Sequence, residues 1–249
     1  MRIDRRLPER RALLASASAA AAAGAAAACG FHWLRRWGTT DDEHFAVLPG
    51  DDLSPDAAVI HTRAITIDAE PSIVWRWLMQ VGQDRSGFFS YTLLENLVGC
   101  KMPRVHELRA DWATREPEDL VWMATPSRFN SAAYNVVARS EPERELVLVS
   151  PIDPDIILRG GEARWVWQFV LVPSGDGGST RLIVRSRYLS KQYWLEPIHF
   201  VMERKMMKTI AQLAADGSRR GVTTAQQASS DSLPGTETEL VTVESASRD

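Results

Sequence analysis

Residues 82–100, GQDRSGFFSYTLLENLVGC, combine side chains that could bind or transform a small molecule. The members that could contact a ligand are Arg85, Phe88, Phe89, Tyr91 and Glu95. A carboxyl group in an apolar cavity has a raised pKa, which suits proton transfer near neutral pH. The arginine could meet an anionic head group or pair with the glutamate. The alternative is structural, with the aromatic rings sealing one end of the core and the arginine paired internally or exposed.

Further candidates lie in the C-terminal half of the chain. In the segment RWVWQFVLV, Trp165 and Trp167 fall on the same face of a predicted strand. In the last predicted helix, Met202 and Met206 could line an adaptable apolar pocket, because thioethers fit varied shapes. His199 borders the same helical face and could supply an acid–base group. Ordinary core packing explains each of these residues equally well.

The absence of familiar motifs limits the chemistry that the sequence supports. The chain contains no GxGxxG, P-loop, HExxH or GxSxG pattern in a suitable context. The five histidines are scattered without zinc-ligand spacing. We therefore expect no metal and no cofactor. A formal net charge of −3 offers no basic surface for nucleic acid.

The elements around residues 82–100 follow from local patterns. Residues 59–67, VIHTRAITI, are β-branched and roughly alternating, which predicts a strand. Pro71 marks the first turn of a short amphipathic helix that ends at Gly82. Four apolar residues at helical spacing then predict a second helix over about 90–98, and they are Leu93, Leu94, Leu97 and Val98.

Strands and one long helix make up the remainder. Five further strands are predicted at 119–124, 131–140, 145–151, 164–172 and 180–190. Pro197 opens a helix of roughly 18 residues, which Gly217 is expected to end. Its apolar stripe contains Ile198, Met202, Met206, Ile210 and Leu213, and the opposite face carries Glu203, Arg204, Lys205 and Lys208.

This order of elements predicts an α+β helix-grip fold, a curved antiparallel sheet wrapped around a long C-terminal helix, with two short helices after the first strand. Residues 63–100 resemble the opening of the SRPBCC superfamily, the START-like and polyketide-cyclase-like proteins, and specifically an uncharacterised bacterial branch of it. The similarity covers roughly 40–190. It implies an internal cavity that the two short helices close at one end, but the superfamily shares no catalytic residue set. The segment EPEDLVW departs from the branch, which has a Gly-Asp turn there.

The N-terminus has the pattern of an address. A basic start, a charge-free Ala-rich run over 12–28 and the sequence AAAC at Cys29 resemble a secretory signal of twin-arginine or lipoprotein type. An uncleaved anchor or a plain extension of a cytoplasmic protein are the alternatives. We divide the chain into a signal-like or anchor-like segment (1–38), a lead-in loop (39–58), the helix-grip domain (59–216) and a disordered tail (217–249).

Three functions are compatible with these features. The first is an exported or membrane-associated protein that binds an apolar or amphipathic, lipid-like molecule in the cavity. The second is a cyclase-like or hydratase-like enzyme that acts on a polyketide or aromatic substrate in the same cavity, with Arg85, Tyr91, Glu95 or His199 as acid–base groups. The third is a structural or interaction role with a filled cavity.

Overall fold

A computed structural model describes residues 29–97, 99–127, 133–190 and 196–231, with side chains described up to residue 220. Its centre is a six-stranded antiparallel sheet, and the strands along it are in the order β1-β6-β5-β4-β3-β2. The strands are β1 (Val59–Ile67), β2 (Leu120–Trp122), β3 (Tyr134–Glu141), β4 (Glu145–Val149), β5 (Trp165–Pro173) and β6 (Thr180–Tyr188). Each strand pairs antiparallel with its neighbours, and the predicted β5–β6 hairpin is confirmed over nine paired positions.

The helices are α1 (29–35), α2 (Asp41–Phe45), α3 (Pro71–Leu78), α4 (Thr92–Leu97), α5 (Asp153–Leu158) and α6 (Glu196–Asp231). Helix α6 packs against α3 and β1, and its residues Met206, Met207 and Ile210 enter the main core beside Trp167 and Phe169 of β5. The curved sheet and its long C-terminal helix confirm the predicted α+β helix-grip fold.

The turn between α3 and α4 depends on two glycines with positive φ, 132° at Gly82 and 80° at Gly87. Their backbones hydrogen-bond each other in both directions, at 3.0 and 2.8 Å. A Cβ at Gly87 would lie 2.7 Å from the carbonyl oxygen of Pro103, so a side chain has no room there. This closed turn aims the aromatic segment 88–91 back toward α6.

The lead-in loop, residues 39–58, covers the convex face of the sheet. Because side chains alternate along a strand, Arg181, Arg185 and Arg187 of β6 all point to this face. Arg185 donates hydrogen bonds to three backbone carbonyl oxygens within 43–46, and both Arg185 and Arg187 donate to Asp51. The arginine row therefore fixes the lead-in loop on the sheet.

Four features differ from the sequence-based expectations. Helix α5 was not predicted, and α6 continues through Gly217 to Asp231 rather than ending there. Glu203, predicted on the solvent-facing side of α6, is only 3% exposed. Residues 29–37, assigned to a segment outside the fold, pack on α6, with the ring of Trp33 edge-on to Phe200 at 5.2 Å. The signal-like run over 12–28 lies outside the described residues.

Candidate functional site

A cavity of about 690 Å³ lies between the first turns of α6, the segment 88–102 and the concave face of β5. Its lining side chains are mostly aromatic, aliphatic or sulfur-containing. Eight of the ten predicted ligand-contacting residues line it, and they are Phe88, Tyr91, Glu95, Trp165, Trp167, His199, Met202 and Met206. The structure therefore brings together residues separated by more than a hundred positions in the sequence. That a ligand occupies the cavity stays a prediction.

The sheet side of the cavity is an aromatic wall. Trp165 and Trp167 stack with their ring centroids 5.8 Å apart, and Phe88 stacks on Trp167 at 6.1 Å. On the outer side, Tyr188 of β6 stacks on Trp165 at 6.0 Å. Alternate positions of a strand share one face, so β5 presents both tryptophans to the same space. Stacked rings offer a large, rigid apolar surface at little cost in side-chain entropy.

A buried ion pair holds Trp167 of this aromatic wall in place. Glu203 accepts a hydrogen bond from the indole Nε1 of Trp167 at 2.8 Å and pairs with the guanidinium group of Arg63. Arg63 also donates to the carbonyl oxygen of Leu34 at 2.8 Å. Both oxygens of Glu203 are thus engaged, so this glutamate orients Trp167 rather than serving as a free acid–base group.

His199 lines both the cavity and a neighbouring smaller pocket of about 220 Å³ between the start of α6 and strands β1 and β6. Burial is the main cause that lowers the pKa of His199, and nearby Arg63 lowers it further. Its Nδ1 atom is buried without a hydrogen-bond partner, and its Nε2 lies 3.9 Å from Glu203. His199 is therefore a neutral imidazole at neutral pH.

His61 lines the smaller pocket, and its pKa is also lowered. Burial, reinforced by the positive charge of Arg63, lowers the pKa of His61 to about 2. Its Nε2 lies 3.6 Å from Glu196, whose carboxylate is held by Arg35 at 2.9 and 2.7 Å. Since Arg35 belongs to α1, this helix holds the carboxylate of Glu196 at the smaller pocket.

Glu95 is the polar residue that α4 turns toward the cavity. It is 5% exposed, and neither carboxyl oxygen has a hydrogen-bond partner. Burial raises the pKa of Glu95, with no nearby charge opposing the shift. The helix is inverted relative to the orientation that solvation alone favours, because Leu93 and Leu97 are exposed while Glu95, a predicted ligand contact, is the buried residue of α4. Val98 lies outside the described residues.

Two predicted residues are placed elsewhere. Arg85 uses its Nη1 atom to donate to the carbonyl oxygens of Met79, Trp112 and Thr114, at 2.6, 3.2 and 2.9 Å. It therefore holds the surrounding loops together. It does not pair with Glu95 and does not line the cavity. Phe89 packs into the core edge-on to Trp77 at 5.7 Å, which is the sealing role considered as its alternative.

Sequence patterns could have found some of the residues that were missed. Glu196, His199 and Glu203 recur at i, i+3 and i+7 on α6, a spacing that puts them on one helical face. Met102 and Met123 also line the cavity, but both lie outside helices and strands, where periodicity gives no signal. Asn96 holds Met102 in place, since its side-chain amide donates to the Met102 carbonyl oxygen at 3.1 Å.

The described part of the chain holds neither a candidate metal cluster nor a candidate membrane span. No cluster of three or more His, Cys, Asp or Glu side chains there could hold a metal ion. None of the helices within that part has both the length and the apolar character to cross a bilayer. Cys29 is exposed at the start of the described residues, and its lipidation stays a prediction.

Comparisons with known proteins find matches among solved structures. No protein-family model and no curated protein matches the chain. Among solved structures, it is similar to protein MLL2253 from Mesorhizobium loti, with 17% identity over 61% of this chain and 95% of that one and a TM-score of 0.31. It is also similar to the self-sacrificing resistance protein CalC from Micromonospora echinospora, with 13% identity over 67% and 96% and a TM-score of 0.37. Scores this low carry no argument about function.

Proposed function

We propose that this protein binds an apolar or lipid-like small molecule in the cavity between α6 and the sheet. The observation that carries the proposal is the cavity itself, about 690 Å³ with walls of aromatic, leucine and methionine side chains. Small-molecule sites fall in the range of about 300–1,000 Å³ and are mostly apolar with a few polar groups. The resemblance of residues 63–100 to the SRPBCC superfamily supports the same function, since ligand carriers and sensors are common in it.

Saturable binding of the neutral fluorescent probe N-phenyl-1-naphthylamine tests this proposal. Met202→Trp fills the cavity and is expected to weaken probe binding by about tenfold or more, whereas Leu158→Trp adds the same side chain at an exposed position of α5 and should leave it unchanged. Equal probe binding by the two variants would contradict the proposal. The melting temperature of each variant serves as the control for folding.

We place this binding activity at a membrane, because an apolar ligand must be collected from and released to an apolar phase. The cavity opens at a rim formed by Tyr91, Leu94, Ile198 and Val201, all of which line it and are exposed. Leu93 and Leu97, 84% and 82% exposed, extend this apolar surface along α4. The N-terminal signal-like run and Cys29 supply a second attachment in this proposal.

Flotation with anionic phospholipid vesicles tests the membrane location. The double variant Leu93→Glu/Leu97→Glu should lower the fraction of protein that floats, and Leu158→Glu, at a position 84% exposed on α5, is the matched control. A similar loss in both variants would contradict a role for α4. For the N-terminus, a Cys29→Ala variant with unchanged membrane retention in cells would exclude lipidation.

Catalysis in the same cavity is the second candidate function. Glu95 and His199 both line the cavity, and each has a buried atom without a hydrogen-bond partner. A carboxyl group with a raised pKa and a neutral imidazole at one cavity suit proton transfer in a dehydration or cyclisation. Molecules recovered from the purified protein after prolonged incubation distinguish the two functions. A recovered molecule that is chemically unchanged supports the carrier, and a dehydrated or cyclised one supports the enzyme.

A further inference from the structure

Glu95 differs from every other buried carboxylate in the described part of the chain. Besides Glu95, three are buried there, and they are Asp153, Glu196 and Glu203. Glu196 and Glu203 each pair with an arginine, and Asp153 accepts from two backbone N–H groups at 3.1 and 3.3 Å. Both oxygens of Glu95 lack a protein partner. This contrast singles out Glu95 as a group whose partner is not part of the fold.

The cost of this arrangement argues for a specific partner. A buried polar group without a hydrogen bond destabilises the folded state, and burying an unpaired charge costs still more. Ordered water is a poor substitute here, because a buried water needs two to four polar neighbours. The hydroxyl of Ser90 already donates to the carbonyl oxygen of Met202, and Glu203 is engaged by Arg63 and Trp167.

The charge of the partner follows from the surroundings of Glu95. No cationic side chain among the described residues forms an ion pair with it, and desolvation is the cause that perturbs its titration. Desolvation raises the pKa of the Glu95 carboxyl group and so disfavours its charged form. A hydroxyl group can pair with either form, because a carboxyl group accepts a hydrogen bond in both protonation states and also donates one when it is protonated. An ammonium group would need the charged form, which the surroundings disfavour.

We propose that Glu95 is the polar anchor of the cavity and hydrogen-bonds a neutral hydroxyl head group at one end of an otherwise apolar ligand. The remainder of the ligand lies against the rings of Trp165 and Trp167 and the thioethers of α6. This inference rests on the proposed binding function and adds the chemical class of the ligand. It also gives a role to α4, since the helix turns Glu95 toward the cavity while Leu93 and Leu97 stay exposed.

Probes with one aromatic skeleton and different head groups test the anchor. The set comprises naphthalene, 2-naphthol and 2-naphthylmethylamine, with binding followed by quenching of tryptophan fluorescence at neutral pH. In Glu95→Leu, we expect affinity for 2-naphthol to fall about tenfold, and affinity for naphthalene to change less than about twofold. Glu95→Gln should bind 2-naphthol within about threefold of the native protein, because an amide also donates and accepts.

The possible outcomes separate the anchor from the cavity. If no probe binds the native protein, the binding function itself fails. If all probes bind but Glu95→Leu weakens naphthalene and 2-naphthol equally, the cavity stands and the anchor is refuted. Preferential binding of the amine that is lost in Glu95→Gln refutes the neutral head group. Glu95→Met, of the same apolar character, replaces Glu95→Leu if the latter does not fold.

Discussion

Two neighbouring aspartates in the lead-in loop provide a matched test of what holds that loop to the sheet. Asp51 and Asp52 occupy the same short 3-10 helix, Asp51–Leu53, and each accepts hydrogen bonds from arginine. They differ in burial. The side chain of Asp51 is 13% exposed and faces two buried arginines, whereas Asp52 pairs on the surface with Arg139 at side-chain exposures of 62% and 40%.

The expected magnitudes follow from this difference. Asp51→Ala removes the counter-charge of Arg185 and Arg187, whose guanidinium groups lie 2.6 and 3.1 Å from it, and it leaves both charges buried. Breaking a buried ion pair on one side costs about 3–5 kcal/mol. The arginines keep their backbone carbonyl acceptors, so we expect a value near the lower limit of that range. Asp52→Ala should cost about 0–1 kcal/mol, as exposed pairs do.

Urea denaturation of both variants measures the two free energies of unfolding directly. The denaturant dependence should be unchanged, because neither substitution alters the surface exposed on unfolding. Asp51 lies on the convex face, opposite the cavity, so probe affinity in Asp51→Ala should stay within about twofold of the native value. Equal destabilisation by Asp51→Ala and Asp52→Ala would refute the view that the buried Arg185 and Arg187 hold the lead-in loop on the sheet.

Three further substitutions probe the concave side. Glu95→Leu removes an unpartnered buried carboxyl group and should raise the free energy of unfolding at pH 7 by about 1–3 kcal/mol. Because the pKa of Glu95 is raised in the folded state, the native protein should lose stability as the pH rises above 4.5, and thermal melting of the variant should not show that loss. Glu203→Gln should lower the free energy of unfolding by about 3–5 kcal/mol, because it leaves the buried charge of Arg63 without its counter-charge. The double variant Arg63→Met/Glu203→Leu removes both charges and should lower it much less, as measured by urea titration. The pKa of His61 is lowered from 6.5 to about 2, so below pH 6.5 the unfolded chain binds a proton that the folded chain does not. The free energy of unfolding should therefore fall by about 2 kcal/mol between pH 7 and pH 5, and the fall should be smaller in His61→Gln.

The aromatic wall could be predicted from the sequence because its cause is local. Alternation along residues 164–172 puts Trp165, Trp167 and Phe169 on one face whatever the strand packs against. The choice of the concave side for that face follows from α6, which is the one long amphipathic helix available to cover it. Local periodicity and the order of elements were thus sufficient for the fold and for most of the cavity walls.

The positions of Glu203 and Arg85 could not be predicted in the same way, because they depend on distant partners. Glu203 looks like a solvent-facing residue next to Arg204 and Lys205, and it is buried because Arg63 reaches it from β1 across 140 positions. Arg85 looks like a ligand contact, yet its acceptors are carbonyl oxygens of loops that no periodic pattern positions. Such pairings become visible only once the sheet brings its strands together.

The inversion of α4 has a different cause and bears most directly on function. By solvation alone, Leu93 and Leu97 would turn inward and Glu95 outward, because that would bury carbon and expose the carboxyl group. The closed turn at Gly82 and Gly87 and the hydrogen bonds of Asn96 to Met102 hold the opposite orientation. A helix held against its own solvation preference costs stability on both faces. In the proposed function, a ligand head group that bonds Glu95 relieves the cost on the inner face, and an apolar surface that covers Leu93 and Leu97 relieves the cost on the outer face.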